Sequence, residues 1–226
     1  MKSAVLFSGG KDSTMALNYA INQGDEIVAL CAMISENDAS YMFHVPNINY
    51  TELIAEALDI PIIISTTEGE KEEELKDLDE LFVNLKKIGV EAIYTGALYS
   101  QYQKSRIDNL CTKHNLKSIA PYWHVDEEEY MREVVDSGFK VIVTGVFAEG
   151  LDELWLGKVI THEAIDELKK IKSKININLA FEGGEAETMV LDGPIFKKTI
   201  KIKYAKKIWN FDNGIYLIEE AILIDK

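Results

Sequence analysis

Cysteine is scarce in this chain, with two in 226 residues, Cys31 and Cys111. Both lie in apolar or helical surroundings, so a disulfide framework is excluded and the usage fits a reducing compartment. Long apolar runs are missing as well. No stretch approaches the ~20 apolar residues of a spanning helix. The run Met1–Phe7 is too short for a signal peptide and turns polar at Ser8. A cytoplasmic protein that avoids the membrane is therefore expected. Positive charge is also in short supply: 24 Lys+Arg stand against 38 Asp+Glu, a net charge of −14. That balance argues against tight non-specific binding to nucleic acid, whose phosphates require a basic face. The four histidines, His44, His114, His124 and His162, are too scattered to mark a metal centre. No internal repeat or low-complexity linker interrupts the chain.

The remainder is ordinary globular composition, 47% hydrophobic and 27% charged. At roughly 150 residues per domain, one or two domains fit the length. The first half alternates short apolar runs with helical spacings. Ala4–Phe7, Ile27–Met33, Pro61–Ile64, Ala92–Tyr94, Lys117–Ala120 and Lys140–Val146 read as strands. Helices are expected over Ser13–Asn22, Tyr50–Leu58, a stretch ending near Gly89, Gln103–His114 and Glu127–Ser137. Strand and helix in turn imply parallel βαβ units, an α/β fold with a doubly wound parallel sheet. The rhythm changes after Val146. Thr161–Lys172 reads as a helix with Thr161 as N-cap, and strands are expected over Thr188–Leu191, Thr199–Ala205 and Ile215–Ile224. The expected division is residues 1–148 as one domain and 149–226 as a smaller α+β domain, with a cleft between them where a ligand could bind.

The most informative stretch is Ser8-Gly9-Gly10-Lys11-Asp12-Ser13, directly after the first strand and before a helix. Two glycines let the backbone bend so that N–H groups face an anion, and the helix N-terminus adds positive potential. Lys11 brings a full charge, and Ser8 and Ser13 bring hydroxyls. The stretch is not a Walker A loop, because Val5 and Asp12 occupy the deciding places. A carboxylate beside phosphate oxygens repels them unless a cation lies between, so Asp12 is expected to reach Mg²⁺.

Two further segments carry chemistry. Thr95–Arg106 follows the fourth strand, with Gly96 at the rim where a nucleotide could approach the backbone. Tyr99, Tyr102, Gln103 and Arg106 share part of one helix face. Arg106 fits either a phosphate, including charge on the α-phosphate in the transition state, or a surface salt bridge with Asp108 or another carboxylate. Glu182-Gly183-Gly184-Glu185-Ala186-Glu187-Thr188, followed by Leu191-Asp192-Gly193-Pro194, fits either a hairpin turn with a solvated acidic strand or a glycine-shaped loop carrying carboxylates toward a cationic substrate. His44, in the long polar loop Ser35–Pro46, could touch a nucleotide or pack the loop, and His124 could line the cleft or pack its own loop. Lys197, Lys198, Lys201, Lys203, Lys206 and Lys207 read as a solvated strand face or a docking patch.

The first segment resembles the pyrophosphate loop of the N-type ATP pyrophosphatases, a likeness that implies a HUP or adenine nucleotide alpha hydrolase-like sheet and AMP plus pyrophosphate as products. The three segments in order resemble the diphthine–ammonia ligase (diphthamide synthase) family, from the first strand to about Pro194. This chain has Ala186 where the family's usual pattern carries Tyr, and a minimal form without the extra C-terminal domains of longer eukaryotic members is expected. The resemblance implies ATP-dependent amidation, by free ammonia, of the diphthine carboxylate on translation elongation factor 2 through an acyl-adenylate. It implies ATP at Ser8, Gly9, Gly10, Lys11, Asp12 and Ser13 and a substrate and catalytic region over Glu182, Gly183, Gly184 and the rest of that segment to Thr188, while the residues themselves add His44 and Gly96 as expected ATP contacts and Tyr99, Tyr102 and Gln103 as expected substrate contacts. Lys11, Asp12, Arg106, Glu185 and Glu187 are the expected catalytic groups, with Glu185 or Glu187 as base or ammonium site. Carboxylates and aromatic faces, Trp123 among them, suit diphthine's trimethylammonium. Oligomerisation is left open. Two other readings share the loop: another adenylating or thiolating N-type pyrophosphatase, and an ATP-sensing module without turnover. A thiolase needs a cysteine near the loop or the cleft, and Cys31 on a buried strand is the only one in range.

Overall fold

The computed structural model describes residues 1–35, 47–67 and 71–226. They form two compact units. The first comprises Met1–Ser8, Asp12–Glu56 and Ile60–Trp123, and the second Gly9–Lys11, Ala57–Asp59 and His124–Lys226. The first unit carries strands β1 (Lys2–Leu6), β2 (Glu26–Ser35), β3 (Ile62–Thr67), β4 (Ala92–Tyr94) and β5 (Lys117–Ile119). Between them run helices α1 (Lys11–Asn22), α2 (Thr51–Leu58), α3 (Lys71–Lys87) and α4 (Gln101–Lys113). The sheet has the order β3-β2-β1-β4-β5, and every pairing is parallel. The apolar strands are what a sheet buried on both faces requires. Ala29, Cys31 and Met33 of β2 pack with Leu78, Phe82 and Leu85 of α3 and Ile107 of α4. The opposite row, Val5, Leu30, Ala32 and Tyr94, is buried too. On that face the Tyr19 ring of α1 lies 6.4 Å from Tyr94.

The winding of the sheet decides where chemistry can sit. From β1 the chain moves outward through β2 to β3, then returns to the other side of β1 as β4. The order reverses between β1 and β4, and ligands of such sheets bind outside the carboxyl ends of the strands at that point. Ser8–Ser13 leaves β1 there, and Thr95–Ser100 leaves β4.

The second unit holds α5 (Glu127–Asp136), β6 (Lys140–Val146), α6 (His162–Lys172), β7 (Ala186–Asp192), β8 (Lys198–Asn210) and β9 (Asn213–Asp225). Its sheet is antiparallel, in the order β7-β6-β9-β8. Thr161 caps α6 as the sequence suggests, its hydroxyl accepting from the Ala164 N–H at 3.2 Å. Asp126 caps α5 by accepting from the N–H groups of Glu128 and Glu129. Against a boundary expected near residue 148, the compact units part at Trp123 and His124, and α5 and β6 belong to the second. The physical reason lies in β6. Its Val141–Val146 run is buried throughout, and such a run suits the middle of a parallel or an antiparallel sheet equally. No helix among the described residues is long and apolar enough to cross a membrane.

Candidate functional site

The phosphate loop forms because β1 ends at Leu6 and α1 starts at Lys11, leaving a turn in which Gly9 takes φ 78°. That left-handed backbone favours glycine. In the first unit the Ser13 hydroxyl accepts from the Ser8 N–H at 3.3 Å and sits 3.3 Å from the Ser8 hydroxyl, closing the bend on itself. In the second unit the loop's middle is tied to β7. Gly9 O accepts from the Val190 N–H at 3.0 Å. The Thr188 hydroxyl accepts from the Lys11 N–H at 3.1 Å. One N–H expected to face an anion is therefore committed to Thr188, and the Thr188 hydroxyl, expected on a substrate, holds the loop instead. The Lys11 ammonium lies 5.4 Å from the centre of the Phe181 ring.

Gly96 is explained by contact with this loop. A Cβ there would stand 2.5 Å from the Asp12 carbonyl carbon and 2.7 Å from the Ser13 nitrogen. The close approach is thus made by the first turn of α1, where the sequence suggested a nucleotide. Asp12 is half-buried in that turn.

On α4, Ser100 caps the helix by accepting from the Gln103 N–H at 3.3 Å. Asp108 pairs with Lys104 at 2.5 Å, so the salt bridge considered for Arg106 goes to a different cation. Arg106 instead sets its Cζ over the Tyr102 ring, 3.4 Å from its centre, with Nη1 donating to Tyr102 O at 3.2 Å. Its Nε has no hydrogen-bond partner among the described residues. Tyr99 is exposed just before the helix. The Trp123 ring takes the Lys104 ammonium at 5.4 Å, so one of its faces already holds a cation.

The acidic loop is not a solvated hairpin. Glu185 is 8% exposed and Thr188 6%. Both Glu185 oxygens accept backbone N–H groups, Oε1 from Asn178 at 2.7 Å and Oε2 from Gly183 at 2.8 Å. A Cβ on Gly183 would stand 2.6 Å from Oε1, which accounts for glycine there, and Gly184 turns at φ 81°. The Glu185 carboxylate is thereby engaged in shaping the loop. Glu182 and Glu187 are half-buried. Asn178 went unnoticed in the sequence. Its Oδ1 accepts from the Ala180 N–H at 2.8 Å, an Asx turn that the Asn followed two residues later by a turn position could have signalled. His44 lies outside the described residues, as do residues 36–46 and 68–70. Burial pushes the thiols of Cys31 and Cys111 up to about 12, which leaves them poor nucleophiles.

Residues 1–118 match the family model described as diphthamide synthase N-terminal domain, and residues 126–224 the one described as diphthamide synthase C-terminal domain. The chain is similar to the diphthine–ammonia ligase of Schizosaccharomyces pombe, 33% identical over 245 residues that cover 100% of this chain and 40% of the relative. It is similar to that of Mus musculus, 33% identical with 92% of this chain and 85% of the relative covered. For that of Homo sapiens the identity is 34%, with 88% and 82% covered. A solved chain from Methanocaldococcus jannaschii, described as a predicted subunit of tRNA methyltransferase, superposes with a TM-score of 0.46 at 18% identity over 88% of this chain and 100% of that one. The names of these curated relatives are those of ligases that form a C–N bond. Matched by both domain models and by relatives above 30% identity along most of its length, the chain belongs to the diphthamide synthase family.

Proposed function

We propose that this chain catalyses ATP-dependent amidation of the diphthine carboxylate on translation elongation factor 2, with ammonia as the nitrogen source. The observation that carries the reading is the Ser8–Ser13 loop at the strand-order reversal, with the first turn of α1 seated against Gly96, in a chain of this family. A carboxylate is a poor electrophile. Its attack on the α-phosphorus of ATP gives an acyl-adenylate and releases pyrophosphate, and neutral ammonia then displaces AMP to leave the amide. A loop that grips the β- and γ-phosphates favours that split, because it holds the leaving group and leaves the α-phosphorus open. Lys11 supplies charge to the phosphates. Arg106, held over the Tyr102 ring as suits a weakly hydrated cation, supplies charge to the α-phosphate. Ammonium must lose a proton before it can attack, and a carboxylate of the acidic loop, Glu185 or Glu187, takes that role.

Among the described residues no group of three or more His, Cys, Asp or Glu side chains could hold a metal ion by itself. Asp12 suits Mg²⁺ in the manner of one carboxylate sharing the ion with phosphate oxygens and water. Bound there, the ion would neutralise phosphate charge. A thiolating reaction is disfavoured, because Cys31 is 1% exposed and its thiol is pushed up to about 12.

The test is incubation of the purified chain with ATP, ammonium and elongation factor 2 carrying diphthine. The reading expects amide and AMP only when all three are present. Nucleotide binding with no product under any of these conditions would point to a sensor instead.

A further inference from the structure

Phe181 holds φ 65°, a left-handed backbone that strains a non-glycine residue. Glycine would suit the position better, so a bulky ring there calls for a physical reason. Phe181 is a buried residue, 6% exposed, Lys11 is 3% exposed, and the Lys11 ammonium stands 5.4 Å from the ring centre. That is within the range at which a ring face attracts a cation, and the attraction grows when water is excluded.

The ring does not hold this position unaided. Phe181 N–H donates to Asn178 O at 3.1 Å, and Gly184 N–H donates to Phe181 O at 3.2 Å. The turn so formed is clamped on both sides by one carboxylate, Glu185, through the Asn178 and Gly183 N–H groups. Three residues after Glu185, in β7, the Thr188 hydroxyl accepts the Lys11 N–H. The backbone of Lys11 and the ring beneath its ammonium are thus both fixed from the start of β7 and the turn before it.

We propose that Phe181 and Glu185 are positioning residues for the Lys11 ammonium. The ring holds the charged end of the lysine in one orientation, and the Glu185 carboxylate holds the ring. The acidic loop thereby sets the affinity of the phosphate loop for nucleotide without itself touching it. This inference rests on the reading of Lys11 as a phosphate ligand.

Calorimetric titration of the full chain with ATP and Mg²⁺ tests it. Phe181→Leu keeps the bulk and loses the ring face, and should weaken ATP binding about three- to tenfold. Phe181→Tyr keeps a ring face and should restore binding to near the parent value. Phe181→Gly suits the left-handed backbone and should show the same loss as leucine, which removes misfolding of the turn as the cause. Glu185→Gln cannot accept both N–H groups and should weaken binding in the same direction. With Lys11→Met in place, Phe181→Leu should add no further loss, a coupling that a purely structural ring would not produce. Unchanged affinity in Phe181→Leu and Phe181→Gly, or a loss that persists undiminished beside Lys11→Met, overturns the proposal while leaving the phosphate reading intact. Parent affinity in Lys11→Met alone would overturn both.

Discussion

Gly96 and Asp12 meet across a contact with no room for a side chain. A Cβ on residue 96 would lie 2.5–2.7 Å from the backbone of Asp12 and Ser13, and backbone in the first turn of a helix yields less readily than a side-chain tip. Gly96→Ala should therefore destabilise the chain by about 1–3 kcal/mol, the range of an overpacked core, and loosen ATP with it. Urea denaturation and nucleotide titration check both parts, and parent values in both would remove the contact from the account. Asp12→Ala answers a different question. The side chain is half-buried in the first turn, so melting should shift less than in Gly96→Ala while Mg²⁺-dependent turnover collapses. Parent turnover in that variant would discard the metal role.

At the scale of elements, Asp25 ties three strands. It lies just before β2, is 6% exposed, and accepts from the Met1 amino group at 2.9 Å, from Ser3 Oγ of β1 at 2.7 Å and from Tyr94 Oη of β4 at 3.0 Å. Burial pushes its carboxyl up, but the three donors together outweigh burial and hold it below the ordinary value. Tyr94 is pushed up to about 12 by burial and by Asp25. A lowered carboxyl contributes stability above its unfolded value, and that contribution drains away as pH falls through the folded one. A raised phenol contributes fully below about 10 and loses the contribution as pH climbs from about 10 to 12. Asp25→Asn should cost about 1–3 kcal/mol at pH 7, with the gap to the parent closing toward pH 3. A gap that stays constant with pH would contradict the assignment.

The antiparallel sheet shows how much of an element a sequence carries. Thr199–Tyr204 alternates polar and apolar residues, and β8 is half-exposed as that pattern implies. The expected strand ended at Ala205, whereas β8 runs on to Asn210 because β9 pairs with it as far as Asn213. β8 also ends the sheet. Lys206 pairs with Glu219 and Lys207 donates to Glu153 O, while Lys201 and Lys203 are exposed. Pairing with β9 slips on either side of Tyr204. Lysines and register slips are the usual devices against edge-to-edge association. Replacing Lys201 and Lys203 by Thr should raise self-association in sedimentation over that of the parent, with melting little changed. Sedimentation equal to the parent's would assign the lysines to another role. Strand character, the Thr161 cap and the Gly9 turn between β1 and α1 were legible because local pattern decides them. The partner of β6, the contact at Gly96 and the ring under Lys11 were not, because residues far along the chain decide them.

For the whole molecule, the proposed chemistry is activation of a carboxylate at the α-phosphorus of ATP. The winding of the parallel sheet and the loop leaving β1 support that chemistry together, and family membership supports the amide as its product. The claim predicts where an oxygen atom goes. With diphthine labelled with ¹⁸O in its carboxylate on elongation factor 2, attack on the α-phosphorus leaves one labelled oxygen in AMP when ammonia displaces it. Mass spectrometry of the nucleotide and phosphate products reads the answer directly. Label in AMP, with unlabelled pyrophosphate beside it, is the predicted result, and label in orthophosphate accompanied by ADP would contradict the account.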